Sequence, residues 1–342
     1  MKLYKIFKIL SINLIILICL LIPAEIILGN KIYSNKLNCN YLLCSANHFY
    51  KNTLYKGKDI INYKKDKYGF RGLRKNIYEI DILTVGGSTT DERYLEEKDT
   101  WSEKLEDKIN NYFDLDIDVV NAGIDGQSTI GHIWNFTNWF NRLDNFKPKY
   151  IFFYIGLNEN FHNINNNSKN DKNKILKKIK VWLKENDGII YKSYYLIYRH
   201  YYLKDVLNVG HKIRQKNYNI ISKSFDFNKD SIRAFNLRLD KLVELSKNIN
   251  AIPVFITQKT LRHKIINNEI YSIDTINYYQ KEKIISKIIM NNCKKNNIFC
   301  IDIFEKIKFK DDSLYDLVHS SPSGAELISK IIFDESKSKI KF

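Results

Sequence analysis

The sequence predicts an α/β fold in which a five-stranded parallel sheet is covered by helices on both faces. Short runs rich in branched apolar residues indicate buried strands at residues 82–85, 117–120, 151–154, 252–256 and 298–301. Between these runs, apolar residues such as Trp101, Leu105 and Ile109 recur at helical spacing. Strands that alternate with helices along a chain favour a parallel sheet between two helical layers.

The first predicted strand ends in Gly86-Gly87-Ser88-Thr89-Thr90. A serine at the end of a strand is a candidate nucleophile, although its hydroxyl needs an adjacent base at neutral pH. Alone, a Ser-Thr-Thr run after a strand is more typical of a helix N-cap. The assignment of Ser88 therefore depends on a base elsewhere in the chain.

The segment Asp316-Leu317-Val318-His319 offers that base. His319 is a candidate to accept the serine proton. Asp316, three residues earlier, is placed to orient the imidazole and stabilise its charged form. Ser88, His319 and Asp316 together provide the three groups of a serine hydrolase.

Two more predicted strands end in residues that can donate hydrogen bonds to an oxyanion. Asn121-Ala122-Gly123 follows one strand, and Gly156-Leu157-Asn158 follows the next. The N–H groups of Ser88 and Gly123 and the amide of Asn158 are candidate donors. Loss of one such donor lowers the rate by about 10²–10³. Without the other segments, Gly123 and Asn158 would be interpreted as turn residues.

These four segments, in this order, resemble the sequence blocks of the SGNH hydrolases, the GDSL-like esterases. The resemblance spans roughly residues 80–332, and the name-giving positions are Ser88, Gly123, Asn158 and His319. It implies a flavodoxin-like three-layer α/β/α sandwich. It also implies catalysis by Ser88, His319 and Asp316, an oxyanion hole of Ser88, Gly123 and Asn158, and no cofactor or metal.

Two positions depart from the usual family pattern. Gly87 stands where the first block usually has Asp, and Glu159 stands where the third block usually ends in Asp. The Gly-Gly-Ser-Thr-Thr block, preceded by Tyr68-Gly69-Phe70-Arg71-Gly72, is similar to a membrane-anchored subgroup with poorly defined substrates.

Two other site types do not fit the sequence. An α/β-hydrolase nucleophile lies in Gly-x-Ser-x-Gly, with its acid well separated from its histidine. Here position 90 is Thr, and Asp316 and His319 share one turn. The seven histidines are scattered, and no His-x-x-x-His or Cys-x-x-Cys pair is present to indicate a metal site.

The first 30 residues predict a membrane anchor. Lys2, Lys5 and Lys8 precede a largely apolar run over residues 9–28, close to the ~20 residues that span a bilayer. Basic residues on the amino side place that end in the cytoplasm and the body outside it. A cleaved signal peptide is the alternative, although no small-x-small site follows the run.

The remaining chain predicts a linker and one catalytic domain. Residues 31–76 are polar and weakly periodic, and residues 77–342 form the predicted hydrolase domain. The stretch 160–230 is too long for a simple connection and is predicted to be a helical cap insertion over the site. A surface excursion is the alternative.

Cysteine spacing and charge bear on compartment and partners. Cys39 with Cys44, and Cys293 with Cys300, would form two local disulfides in an oxidising compartment, or remain free thiols.

The net charge of +17 does not predict nucleic-acid binding, because lysine is abundant throughout and no nucleic-acid motif accompanies it. A basic exported domain is expected near anionic headgroups or acidic glycans.

The functional prediction is therefore an exported ester hydrolase that forms an acyl-enzyme on Ser88. The expected substrate is an O-acyl group, such as acetyl, on an envelope carbohydrate, with a lipid ester second. Two alternatives remain. One is an O-acyltransferase that uses the same acyl-enzyme, and the other is a non-catalytic envelope glycan-binding or assembly protein. The sequence leaves the oligomeric state open.

Overall fold

The computed structural model describes residues 2–28, 37–72, 76–161, 206–209, 218–220, 224–273 and 276–341. The chain divides into two compact units, Met1–Leu43 with Asn166–Lys204, and Cys44–Asn165 with Asp205–Phe342. In the first unit the described helices are α1 (Lys2–Leu28) and α2 (Cys39–Leu42). All the predicted site residues belong to the second unit.

The membrane-spanning helix predicted for residues 9–28 is not found. These residues lie within α1. A span needs about 20 apolar residues in one helix. Within the part of the chain that the structure describes, no helix combines the length and the apolar character required to cross a membrane.

The predicted five-stranded parallel sheet is confirmed, and its strand order is β4-β3-β5-β8-β11. The strands are β3 (Ile82–Gly86), β4 (Val119–Asn121), β5 (Tyr150–Tyr154), β8 (Ile252–Ile256) and β11 (Cys300–Ile301). Counted along the chain, this is the order 2-1-3-4-5 of flavodoxin-like folds. Ligands bind such sheets where the order reverses, beyond the carboxyl ends of β3 and β5.

Helices cover both faces of this sheet. Alternate side chains of each strand point to opposite sides, so both faces carry apolar side chains that must be buried. On one face, Trp101 and Leu105 share a buried core with Phe152. On the other face, the ring of Phe136 stacks on that of Phe153 with centroids 6.3 Å apart. The helices that the structure describes in this unit are α3 (Ser88–Asp91), α4 (Trp101–Phe113), α5 (Thr129–Asn138), α6 (Lys229–Asn248), α7 (Tyr278–Asn296), α8 (Ile303–Lys306) and α9 (Pro322–Ser336), with 3₁₀ turns at Glu97–Asp99 and Phe140–Arg142.

Two small sheets complete the second unit. The first pairs β1 (Asn47–Lys51) with β2 (Ile60–Lys64) and β6 (Val206–Asn208). The second pairs β10 (Glu269–Ser272) with β9 (His263–Ile266) and β7 (Asn219–Ile220). Most of the predicted cap, residues 160–230, lies outside the described residues. Its described pieces include β6, β7 and the beginning of α6.

The cysteines form the disulfides that their spacing suggested. Cys293 at the end of α7 is bonded to Cys300 of β11. Cys39 and Cys44 are both disulfide-bonded, whereas Cys19 is a free thiol. The free-thiol alternative for the two near pairs is therefore wrong.

Candidate active site

Ser88 begins α3, and only Gly87 separates it from the end of β3. The turn between them is tight: a Cβ on Gly86 would lie 2.1 Å from Thr90 Oγ1 and 2.8 Å from the Tyr154 carbonyl oxygen. Only glycine fits there, because both approaches are shorter than any ordinary contact. The turn holds Ser88 at the carboxyl edge of the sheet, where the strand order predicts ligand binding.

The loop before α9 brings Asp316 and His319 to the serine. His319 Nε2 lies 2.8 Å from Ser88 Oγ, and His319 Nδ1 lies 2.7 Å from Asp316 Oδ2. The other carboxylate oxygen, Asp316 Oδ1, accepts the backbone N–H groups of His319 at 2.9 Å and Val318 at 3.1 Å. When Nδ1 carries the hydrogen shared with Asp316, Nε2 can accept the serine proton.

The carboxyl group of Asp316 is held in its ionised form. Burial alone raises its pKa, but the hydrogen bonds and the charge interaction with His319 outweigh burial. The net effect lowers the pKa of Asp316 below its ordinary value. An ionised carboxylate at neutral pH is what the orientation of His319 requires.

The Asp316–His319 loop adopts an unusual backbone conformation. Leu317 has φ 81°, in a region that non-glycine residues seldom occupy. Its side chain is buried, and its carbonyl oxygen accepts the Leu261 N–H at 2.8 Å. The ring of Tyr315 stacks on that of His319, with centroids 5.8 Å apart and an angle of 15°. These contacts fix the direction of the imidazole.

Asn158 lies directly beside the residue that precedes the nucleophile. It follows Gly156, whose φ of 127° turns the chain after β5. Asn158 Nδ2 donates to the Gln127 carbonyl oxygen at 2.9 Å. A side-chain amide nitrogen carries two hydrogens, so the second can reach an oxyanion near Ser88.

The departure at Gly87 has a steric explanation. A Cβ at this position would lie 2.5 Å from Asn158 Nδ2 and 3.1 Å from the Gln127 carbonyl oxygen. Any side chain there would force the amide of Asn158 to shift. Glycine therefore permits the close approach of Asn158 to the nucleophile turn.

Gly123 is placed close to α3, but its N–H already has an acceptor. A Cβ on Gly123 would lie 2.2 Å from the Asp91 backbone nitrogen, so no side chain fits against α3. The Gly123 N–H donates to Asn121 Oδ1 at 2.9 Å. To bind an oxyanion, as the sequence predicts, this N–H must either donate to Asn121 Oδ1 and the oxyanion at once or give up its hydrogen bond to Asn121.

A buried arginine, not identified as a site residue from the sequence, supports the nucleophile helix. The guanidinium of Arg71 donates to three carbonyl oxygens just after Ser88: Asp91 at 2.5 Å, Glu92 at 2.8 Å and Leu95 at 2.6 Å. Its Nε lies 3.2 Å from Glu97 Oε2. Arg71 is fully buried. This one side chain therefore fixes the segment that follows the nucleophile.

Lys65 and Asp91 are further buried charged groups next to Arg71, and together these three residues form a charged layer behind the nucleophile helix. Lys65 Nζ donates to the Gly123 carbonyl oxygen at 3.0 Å and lies 3.7 Å from Asp91 Oδ1, which also accepts the Tyr63 hydroxyl at 2.8 Å. Burial lowers the pKa of Lys65. Burial would raise the pKa of Asp91, but the charge of Lys65 and neighbouring arginines lowers it.

Glu92 connects the nucleophile helix with the histidine loop. It ends α3, and its carboxyl group accepts the Trp101 N–H at 2.7 Å and the hydroxyl of Ser320, the residue after His319. Burial raises the pKa of Glu92 to about 8. A neutral carboxyl group thus bridges the two halves of the site at neutral pH.

The departure at Glu159 also has a role in the structure. Its carboxylate accepts the Thr129 N–H at 2.7 Å at the start of α5 and pairs with Arg238 Nη2 of α6 at 2.8 Å. Arg238 Nε also donates to Thr129 Oγ1 at 2.6 Å. Glu159 therefore ties the Asn158 turn to two helices.

An uncharged network lies behind Asn158. The side chain of Gln127 exchanges hydrogen bonds with that of Asn135, at 2.9 and 3.0 Å, and its Oε1 lies 3.2 Å from His132 Nδ1. Burial lowers the pKa of His132 to about 3, so the imidazole is neutral at neutral pH. This network holds the loop whose carbonyl oxygen accepts from Asn158.

The model of one known family covers this whole site. The family model described as GDSL-like Lipase/Acylhydrolase matches residues 82–332. The chain belongs to this family. As a member of the GDSL-like lipases and acylhydrolases, it is related to ester hydrolases, and the matched region contains every predicted site residue. The narrower assignment to a membrane-anchored subgroup stays a prediction.

Several solved structures are similar to this GDSL-family chain. An acetyl-xylooligosaccharide esterase from Geobacillus stearothermophilus is 14% identical with a TM-score of 0.44, covering 77% of this chain and 96% of its own. A lipolytic G-D-S-L protein from Veillonella parvula is 15% identical with a TM-score of 0.42, covering 76% and 100%. The psychrotrophic esterase EstA from Pseudoalteromonas is 15% identical with a TM-score of 0.44, covering 75% and 96%. The search of curated proteins found no match.

Proposed function

We propose that this GDSL-family chain is an exported serine ester hydrolase that removes O-acyl groups, acetyl in particular, from an envelope carbohydrate. One observation carries the chemistry. His319 lies 2.8 Å from Ser88 Oγ through one ring nitrogen and 2.7 Å from Asp316 through the other. Nucleophile, base and orienting acid are in hydrogen-bond contact, as acyl transfer requires.

In the first half-reaction, Ser88 Oγ attacks the ester carbonyl carbon while His319 Nε2 takes the hydroxyl proton. The oxyanion that forms accepts hydrogen bonds from the Ser88 N–H and the amide of Asn158. Collapse of the intermediate breaks the bond to the alcohol oxygen. His319 gives its proton to that oxygen, and an acyl-Ser88 remains.

In the second half-reaction, water replaces the alcohol. His319 takes a proton from the water as its oxygen attacks the acyl carbon, and the resulting intermediate releases the carboxylic acid. The proton returns to Ser88 Oγ. Asp316 stays ionised throughout, which agrees with the lowered pKa of its carboxyl group.

Two features support export and a carbohydrate substrate. Cys293–Cys300 is a disulfide, and Cys39 and Cys44 are also disulfide-bonded, which is typical of an oxidising, extracytoplasmic compartment. The net charge of +17 would attract acidic envelope polymers over a distance of about 10 Å at moderate salt.

The test is labelling of the full chain with a fluorophosphonate probe, together with turnover of a short-chain aryl ester. Wild-type protein should be labelled and should hydrolyse the ester, and Ser88→Ala should abolish both. Ser338→Ala, which changes an exposed serine near the chain end, is the matched control and should behave as wild type. Folding of each variant is checked by circular dichroism.

A folded wild type that neither reacts with the probe nor cleaves the ester would contradict the hydrolase proposal. The two substrate classes are then compared by measuring hydrolysis of acetylated xylan fragments and of a short-chain lipid ester. Faster release of acetate from the carbohydrate is the expected result, and preference for the lipid ester would contradict the substrate assignment.

A further inference from the structure

A cavity of about 490 Å³ lies between β9 and the segment after α8. None of Ser88, Asp316 and His319 is among its lining residues. Its volume falls in the range of about 300–1,000 Å³ that is typical of small-molecule sites. One wall includes Leu261, whose N–H donates to the Leu317 carbonyl oxygen in the catalytic loop at 2.8 Å. The cavity is therefore a neighbour of the active site but not part of it.

The lining of this cavity is strongly basic. It includes four lysines, Lys259, Lys264, Lys308 and Lys310, and a single carboxylate, Asp311. Asp311 Oδ1 lies 3.4 Å from Lys264 Nζ, and Lys259 Nζ donates to the Ile307 carbonyl oxygen at 3.1 Å. Lys308 and Lys310 are exposed at the cavity and make no salt bridge within the described residues. This balance of charge suits an anion.

A buried histidine in the same lining has an unused hydrogen-bonding atom. His263 is 6% exposed, and its Nδ1 has no hydrogen-bond partner among the described residues. Glu282 Oε2 is 3.7 Å away, beyond hydrogen-bond distance, and this carboxylate already accepts from Thr260. Burial lowers the pKa of His263 to about 4, so the ring is neutral. Nδ1 is itself buried, so a ligand in the cavity does not reach it, and His263 contributes an uncharged part of the cavity wall.

Phe309 and Tyr279 add apolar surface to the same lining. A ligand that fits the whole cavity must therefore carry an anionic group and an apolar face that can pack on an aromatic ring. We propose that the cavity binds an acidic sugar. Its anionic group lies at Lys308 and Lys310, and its apolar ring face packs on the aromatic ring of Phe309. The site goes beyond the proposed hydrolase activity and does not depend on the chemistry of Ser88.

Calorimetric titration at low salt tests this site on the full chain carrying Ser88→Ala, so that no turnover interferes. Glucuronate and glucose 6-phosphate represent the carboxylate and phosphate classes of acidic sugar, and glucose is the neutral reference. At least one acidic sugar should bind on the order of tenfold more tightly than glucose. The double substitution Lys308→Gln and Lys310→Gln should remove most of that difference.

The control is Lys339→Gln with Lys341→Gln, which lowers the net charge equally at exposed positions that do not line the cavity. It should leave acidic-sugar binding unchanged. The site is refuted if neither acidic sugar binds more tightly than glucose. It is also refuted if the control weakens binding as much as the cavity variant does, because the effect is then one of net charge. Neither outcome bears on fluorophosphonate labelling, so this test and that of the hydrolase can fail separately.

Discussion

Ser88 and Asn158 lie close together at the carboxyl edge of the sheet, but the networks behind them differ in chemistry. Behind Ser88 the buried groups are charged: Arg71 holds the carbonyl oxygens after the nucleophile, and Lys65 lies 3.7 Å from Asp91. Behind Asn158 the buried network is neutral, with Gln127 at the centre of hydrogen bonds to Asn135 and His132, and the ion pair beside it, Glu159 with Arg238, is partly exposed at Arg238. The site is thus supported mainly by buried ions on one side and mainly by neutral hydrogen bonds on the other.

This difference implies different consequences of mutation. Removal of one member of a buried charged group leaves its partners unpaired in a medium that solvates them poorly, which costs about 3–5 kcal/mol. Removal of one neutral hydrogen bond costs about 0.5–1.5 kcal/mol, or 1–3 kcal/mol when a buried group is left unsatisfied. We therefore expect the charged side to determine stability, and the amide side to affect mainly catalysis.

The largest expected effect is that of Arg71→Met, which keeps an unbranched apolar side chain and removes the charged guanidinium. Three buried carbonyl oxygens lose their donors, and Glu97 loses its ion-pair partner. The free energy of unfolding should fall by about 3–5 kcal/mol. Urea unfolding followed by tryptophan fluorescence measures this difference.

Arg233→Met is the matched control, because Arg233 is exposed on α6. Its effect should stay within about 0.5 kcal/mol, as for ordinary surface substitutions. If Arg71→Met unfolds at the same urea concentration as this control, the charged layer does not support the nucleophile helix as inferred.

The second effect, from Asn158→Ala, should appear in catalysis and hardly in stability. The variant loses one hydrogen bond to Gln127 and one oxyanion donor. Turnover of a short-chain aryl ester should fall by about 10²–10³, while the free energy of unfolding changes by about 1 kcal/mol. Asn111→Ala, at an exposed position of α4, controls for the loss of an amide. Turnover within threefold of wild type would remove Asn158 from the oxyanion hole.

The sheet and the pairing of Asp316 with His319 could be predicted from the sequence because their signals are local. Each strand of the sheet is a short apolar run, and Ser88 and Asn158 lie directly after two of these runs. Asp316 and His319 are three residues apart, so their contact requires only a turn. The contact of His319 with Ser88 joins residues 231 positions apart, and it was predicted only because the four ordered segments resemble those of a known family.

The supporting residues could not be predicted because their partners are distant in the chain. Arg71 reaches carbonyl oxygens 20 or more residues away, and main-chain acceptors leave no trace in side-chain identity. The hydrogen bond between Asn158 and the Gln127 carbonyl oxygen has the same character. The burial of Glu92 could not be predicted either, because a glutamate in a polar run is typical of an exposed surface.

The stability of the protein should also depend on pH in opposite ways through Glu92, beside the charged network, and through His132, in the neutral one. Burial raises the pKa of Glu92 from 4.5 to about 8, so between these values the folded chain holds a proton that the unfolded chain releases. Stability from Glu92 is therefore lost as pH rises through this window. Burial lowers the pKa of His132 from 6.5 to about 3, so its contribution is instead lost as pH falls from 6.5 towards 3.

The last expected effect, that of Glu92→Gln, is small at pH 5 and separates these two contributions. A glutamine matches the neutral carboxyl in size and can still accept from Trp101 and bond to Ser320. At pH 5 the variant should therefore be about as stable as wild type. Between pH 5 and 8 wild type should lose about 3 kcal/mol that the variant keeps. Urea unfolding across this range, with exposed Glu79→Gln as control, measures the difference. Parallel pH profiles for wild type and Glu92→Gln would mean that Glu92 is already ionised in the folded chain.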